Sequence, residues 1–73
     1  MSEMIDARGL SCPQPVLDTL AKIDAMGSGE LDVLVDTEAA KENVSRAAQG
    51  KGWTVTSIEE EGSGEYRLKL SGA

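Results

Sequence analysis

The sequence predicts a two-layer α/β sandwich, in which a four-stranded mixed sheet carries two helices on one face. Two segments have helical periodicity, and four short segments alternate or are rich in β-branched residues. They follow one another in the order βαβαββ, so helices connect successive strands and some strands must pair in parallel. The 73 residues are expected to form one domain, residues 1–73. A chain of this size buries only about 60% of its accessible surface, so its core is thin.

The first half of the chain predicts a strand, a helix and a second strand. Residues 4–6 form the short opening strand, and the helix begins around Pro13. Apolar side chains at spacings of three and four predict one buried stripe on this helix, made of Val16, Leu17, Leu20, Ile23 and Met26. Gly27 and Gly29 are expected to end the helix. Residues 31–36 alternate as a strand does.

The second half predicts a helix and two strands. Asp36 or Thr37 is expected to cap a helix that reaches about Gln49. Its inward side chains are predicted to be Ala40, Val44, Ala47 and Ala48, with Trp53 in the core above them. Residues 53–60 form a strand whose alternation slips between Val55 and Ile58, which predicts a bulge. A turn at 61–64 leads to the last strand, with Tyr66, Leu68 and Leu70 facing inward.

Composition excludes several classes of function. Seven basic and thirteen acidic residues give a net charge of -6, and no basic cluster is present to bind nucleic acid or an anionic membrane. There is no histidine, so a Cys/His zinc site cannot form, and one cysteine cannot make an internal disulfide. The first residues resemble neither a signal peptide nor a membrane helix. We therefore expect a cytoplasmic protein whose partner has a basic surface.

Cys12 is the residue most suited to carry chemistry. It lies where the loop is predicted to meet the helix, followed by Pro13 and Pro15. A helix N-terminus favours a thiolate, and proline suits the first helical positions. The prolines lack N–H groups, so those of Gln14 and Val16 are expected to point at the sulfur. A lone cysteine is more often inert and buried, but two flanking prolines at a helix start favour a reactive thiol.

The rest of the composition limits what this thiol can do. Without histidine, Cys12 has no base of the kind that cysteine proteases and acyl transferases use. Without a second cysteine, a C-x-x-C dithiol reductase is excluded. The remaining role is that of a thiol that receives a group from one protein and passes it to another. Sulfur held as a persulfide fits, because its transfer needs a thiolate and no internal base.

Residues 6–15, DARGLSCPQP, resemble the C-P-x-P signature of the TusA/SirA/YedF family of small sulfur-relay proteins, including the preceding Asp-Ala-x-Gly-Leu. The family fold is a βαβαββ sandwich, so the resemblance covers the whole chain. It implies a sulfurtransferase, or persulfide carrier, without cofactor or metal. Cys12 would accept sulfane sulfur from a cysteine desulfurase or another sulfurtransferase and pass it to an acceptor protein.

A second segment resembles one branch of that family. Residues 35–44, VDTEAAKENV, followed by Gly52 and Trp53, are similar to the YedF-type branch linked to selenium metabolism. In that branch a domain of this kind often precedes a DsrE-like domain. The chain is therefore expected to be a stand-alone member or an excised domain, with a DsrE-like domain or protein as a candidate partner.

Four residues before the cysteine are candidates for supporting roles. Asp6 is expected to anchor the loop or Arg8, and Arg8 either steadies the thiolate or persulfide or is an exposed solubilising charge. Gly9 supplies conformational freedom. Leu10 is expected in the core, or as an exposed docking contact beside Cys12.

Two residues of the second half are candidates for a second layer around the site. Asp36 is most simply the N-cap of the second helix, and Asn43 is expected to bond across to the cysteine loop. The alternative to a carrier is a regulatory or accessory binding module whose Cys12 is not persulfidated in its working cycle. Substitution of Cys12 by serine would abolish a carrier and spare such a module. RNA binding, a third alternative, is disfavoured by the net charge.

Overall fold

Six elements in the predicted order βαβαββ make up the fold. The structure is a computed structural model that describes residues 2–11 and 13–72, so Cys12 lies outside the described residues. The elements are β1 Ser2–Asp6, α1 Gln14–Met26, β2 Gly29–Val35, α2 Glu38–Gly50, β3 Thr54–Glu60 and β4 Tyr66–Gly72. The predicted elements are all present, with ends that shift by one or two residues.

The four strands form one mixed sheet in the spatial order β1-β2-β4-β3. β1 pairs with β2 in parallel, and β4 pairs antiparallel with both β2 and β3. Both crossovers, through α1 and through α2, advance across the sheet in the same direction. Right-handed crossovers that advance the same way place both helices on the same face. The sandwich predicted from the sequence is therefore confirmed.

The core lies between that face and the helices. Its buried strand residues come from the two central strands: Leu31, Val33, Val35, Leu68 and Leu70. α2 contributes Val44 and Ala48, which are fully buried, while Ala40 and Ala47 are half-buried. Trp53 is 5% exposed, as expected for a core residue, and its indole lies against Gly72. The predicted bulge is present, between Val55 and Ser57.

The buried face of α1 differs from the predicted stripe. Its buried residues are Pro15, Thr19 and Ile23, whereas Leu17 is 52% exposed. Each helical residue turns about 100° from the one before, so Leu17 points roughly opposite to a face centred on the Pro15–Thr19–Ile23 row. The hydroxyl of Thr19 donates to the Pro15 carbonyl at 2.8 Å, which allows a polar residue in that row. The prediction that Leu17 is buried was wrong.

The opposite face of the sheet carries ion pairs around two apolar residues, the buried Leu34 and the exposed Met4. Arg67 donates to Glu61 at 2.8 Å and to Asp32 at 3.1 Å, and Lys69 lies 3.8 Å from Glu59. The hydrogen bond to Glu61, then that to Asp32, raises the pKa of Arg67. This face is therefore suited to water. In the described part of the chain, neither helix has the length and apolarity that crossing a bilayer requires.

Candidate functional site

The loop between β1 and α1, residues 7–13, is anchored to the sheet at its first residue. Ala7 is 1% exposed, and its N–H donates to the Leu34 carbonyl at 2.8 Å. This bond extends the parallel β1–β2 pairing one residue beyond β1. The loop thus leaves the sheet at the carboxyl ends of two parallel strands, where ligand and active sites of open α/β sheets commonly lie.

Asp6 and Arg8 form a clamp at the start of the loop. The Asp6 carboxylate accepts the Arg8 backbone N–H at 3.1 Å and its Nε and Nη2 at 2.8 Å each. The side-chain hydrogen bonds from Arg8, followed by the backbone one, lower the pKa of Asp6 from 3.8 to about 2. The side-chain hydrogen bonds to Asp6, followed by the charge of Asp6 and the hydrogen bond to Glu65, raise the pKa of Arg8. Both groups are therefore charged at neutral pH, and the loop backbone is tied to the end of β1.

The guanidinium of Arg8 also contacts the turn between β3 and β4. Its Nη1 lies 3.3 Å from a carboxylate oxygen of Glu65, which directly precedes β4. The donors of Arg8 are thus shared between two carboxylates. Glu65 was not among the residues expected at the site, since no local pattern shows that the β3–β4 turn lies at the same end of the sheet as the cysteine loop.

Gly9 and Asp36 hold the middle of the loop. Gly9 has a φ of +79°, a left-handed conformation that glycine adopts readily, and its N–H donates to Asp36 Oδ2 at 2.8 Å. Thr37, with φ -142° and ψ 154°, caps α2 instead, since its hydroxyl oxygen accepts from the Ala40 N–H at 3.0 Å. The expectation that Asp36 is the N-cap was wrong, because its side chain turns towards the loop.

The start of α1 offers few free N–H groups. Pro13 is the N-cap residue and Pro15 lies within the first turn, and neither has an N–H. The Gln14 N–H donates to the Ser11 carbonyl at 2.8 Å, and the Leu17 N–H donates to the Pro13 carbonyl at 3.0 Å. The Gln14 N–H therefore closes the loop onto the helix, whereas the expectation that the Gln14 and Val16 N–H groups point at the sulfur concerns Cys12 and lies outside the described residues.

A cavity of about 420 Å³ opens beside the loop, between the first turns of α1 and α2. Leu10 lines it and is 39% exposed, so Leu10 is a surface residue rather than the core residue it was first expected to be. Asn43 lines the opposite wall, and its amide makes no hydrogen bond with the loop residues that the structure describes. The structure therefore places Asn43 across the cavity from the described part of the loop, and a bond from Asn43 to Cys12 itself would lie outside the described residues.

These contacts hold the loop at three places, and the outer surface of its described residues is accessible. The backbone is held through Asp6, through Asp36 and through the bond between Ser11 and Gln14. Ser11 and Pro13, the chain neighbours of Cys12, are exposed. Fold and loop together define a small α/β protein whose exposed loop lies at the carboxyl ends of two parallel strands. The crystal structure of a SirA-like protein from Desulfitobacterium hafniense matches with a TM-score of 0.87 at 28% identity, covering 94% of this chain and 95% of the other.

The sequence comparisons identify the family. The profile described as "Sulfurtransferase TusA" matches residues 3–72, and the chain belongs to this family. A relative from Archaeoglobus fulgidus is 37% identical over 70 residues, which cover 94% of this chain and 80% of the relative. One from Methanocaldococcus jannaschii is 40% identical over 67 residues, covering 90% and 88%. The name of each relative describes it as a "putative sulfur carrier protein".

Proposed function

We propose that the protein is a sulfur carrier that accepts sulfane sulfur on Cys12 as a persulfide and relays it to an acceptor protein. The observation that carries the proposal is a single thiol in a loop that is fixed at three places and exposed on both sides of the cysteine. A fixed, accessible loop lets a partner present its own sulfur without unfolding the carrier. The names of the two relatives agree with this role.

The transfer needs neither a cofactor nor an internal base. The Cys12 thiolate attacks the outer sulfur of the donor's persulfide, the S–S bond of the donor breaks, and the donor leaves as a thiolate. The proton of the outer sulfur stays with it, and the sulfane sulfur is neither oxidised nor reduced. Delivery is the same reaction in the other direction, with the acceptor's thiolate attacking Cys12's outer sulfur. The chain contains no histidine, and this chemistry requires none.

The donor in this proposal is a cysteine desulfurase or another sulfurtransferase, and the site of action is the reducing cytoplasm, where a lone thiol remains free. A DsrE-like protein or domain is a candidate partner. In the YedF-type interpretation the transferred atom would be selenium rather than sulfur, with the same bond changes. Asp6, Arg8, Gly9 and Asp36 are positioning residues, because they hold the loop.

The test is the intact mass of the protein after incubation with a cysteine desulfurase and L-cysteine. We expect a gain of one sulfur atom that a reductant removes and that Cys12→Ser does not show. A parallel reaction supplied with selenocysteine distinguishes selenium by its greater mass. If the thiol alkylates readily but gains no sulfur from any of several donors, the protein is a regulatory or accessory module and the carrier proposal fails.

A further inference from the structure

The cavity beside the cysteine loop has the size and lining of a binding site. Its volume of about 420 Å³ lies in the range of small-molecule pockets and exceeds that of one large side chain. Apolar groups dominate the walls, with Leu10 and Pro13 from the loop, Val16 from α1, and Ala39 and Ala40 from α2. The cavity exists because α2 presents small alanine side chains where it faces the first turn of α1.

The surface around this cavity is acidic. Glu38, between the lining residues Thr37 and Ala39, has a side chain that is 78% exposed and lies 3.9 Å from the Lys41 ammonium, and Asp36 lies next to Thr37. Nearby cations are engaged by the protein itself. Arg8 is shared by Asp6 and Glu65, and the Lys41 ammonium lies 4.6 Å from the centre of the Tyr66 ring.

These charges favour one kind of occupant. An anionic small molecule would meet no Lys or Arg among the described residues of the cavity wall. A second copy of the chain would bring like charges together, since the net charge is -6. A protein that offers an apolar side chain within a ring of Lys and Arg would satisfy both the apolar wall and the acidic rim.

We propose that this cavity is the docking site for the protein that exchanges sulfur with Cys12, and that this partner inserts one apolar side chain surrounded by basic residues. The identity of the partner rests on the proposed carrier function. The location of the cavity next to Ser11 and Pro13 means that such a partner would cover the chain on both sides of the cysteine.

Two alanines provide matched variants for a test. Ala39 lines the cavity and is exposed, so Ala39→Phe fills the cavity with little strain on the core. Ala25 is exposed near the other end of α1, and Ala25→Phe adds the same bulk elsewhere. Glu38→Lys reverses the charge of a side chain near the cavity. Its control, Glu30→Lys, makes the same charge change at the start of β2. Unfolding curves show whether each variant folds.

The experiment compares two sulfur donors, using full-length protein. Loading of Cys12 is measured by mass from inorganic polysulfide and from purified protein donors, namely the host's cysteine desulfurases and sulfurtransferases taken in turn. With at least one protein donor, we expect Ala39→Phe to lower the second-order rate about tenfold or more, as loss of a central interface contact does. Polysulfide loading stays within about twofold, and Ala25→Phe matches the wild type with both donors.

Charge reversal gives a second readout. With the protein donor, the loading rate of the wild type is expected to fall as salt is added. Glu38→Lys is expected to lower this rate and to make it less dependent on salt, whereas Glu30→Lys should change both less. Equal rates for Ala39→Phe and the wild type with every protein donor would overturn the docking site. An equal slowing with polysulfide would show that the cavity serves a small molecule, and would overturn it too. If the wild type loads from no donor at all, the carrier function itself fails.

Discussion

The hydrogen bond between Gly9 and Asp36 provides a sharp test of how the loop is held. Asp36→Ala removes the only described acceptor of the Gly9 N–H, at 2.8 Å, and leaves the α2 cap of Thr37 in place. Hydrogen bonds to charged groups contribute about 1.5–3 kcal/mol. Because this one is exposed, we take a value at or below the low end and expect the free energy of unfolding to fall by about 1 kcal/mol.

Thr37→Ala is the matched control. It removes the cap at 3.0 Å from the Ala40 N–H, and loss of such a cap also costs about 1 kcal/mol. A chain of 73 residues has a free energy of unfolding of roughly 4–11 kcal/mol, so both variants should remain folded. The two variants should therefore lose similar free energies of unfolding. They differ in where the contact is lost, since only Asp36→Ala removes the acceptor of the Gly9 N–H.

The assay is amide hydrogen exchange of Gly9, together with urea unfolding of each variant. In Asp36→Ala, the Gly9 amide should exchange about fivefold faster beyond any change caused by global unfolding, which corresponds to a local loss of about 1 kcal/mol. In Thr37→Ala, the Gly9 amide should change only as far as global stability does. Equal Gly9 exchange in the two variants would refute the idea that Asp36 holds the loop.

Two further predictions concern charge and packing. The Asp6 carboxyl should titrate by NMR with a midpoint near its lowered pKa of about 2, and this midpoint should return towards 3.8 in Arg8→Met. Because the pKa is lowered in the folded wild type, the contribution of Asp6 to stability is complete above about pH 3.8 and is lost as the pH falls towards 2. An unchanged midpoint in Arg8→Met would contradict the clamp. Gly72→Ala should lower stability by about 1–3 kcal/mol, because the added methyl group would collide with the indole of Trp53. Gly50→Ala, which adds a methyl group in open space, should leave stability unchanged or raise it, and a loss equal to that of Gly72→Ala would refute the argument.

The elements of the fold could be predicted because each follows from a local pattern. Alternation along β2 and the small inner face of α2 are properties of neighbouring residues, and they survive in the structure. The insertion of β4 between β2 and β3 was not predicted, because strand order depends on pairing between distant segments. Leu17 was placed wrongly because spacings of three and four fit two adjacent faces of α1, and the packing of Pro15 and Thr19 selects one of them.

The site was predictable in its sequence motif and less so in its contacts. Asp6 and Arg8 are two residues apart, so their pairing could be anticipated from the chain. Asp36 reaches Gly9 across 27 positions and Glu65 reaches Arg8 across 57, and neither contact leaves a local signal. The cavity that Asn43 helps to line exists only once α1 and α2 are packed together.

The central claim, that Cys12 carries sulfur in its working cycle, is tested most directly inside the cell. Cells that express the protein would be lysed in an alkylating agent that traps persulfides, and the peptide containing Cys12 would be analysed by mass spectrometry. We predict a trapped persulfide on Cys12 that disappears when the cysteine desulfurases are depleted. A peptide found only as the alkylated thiol, with and without those enzymes, would contradict the account.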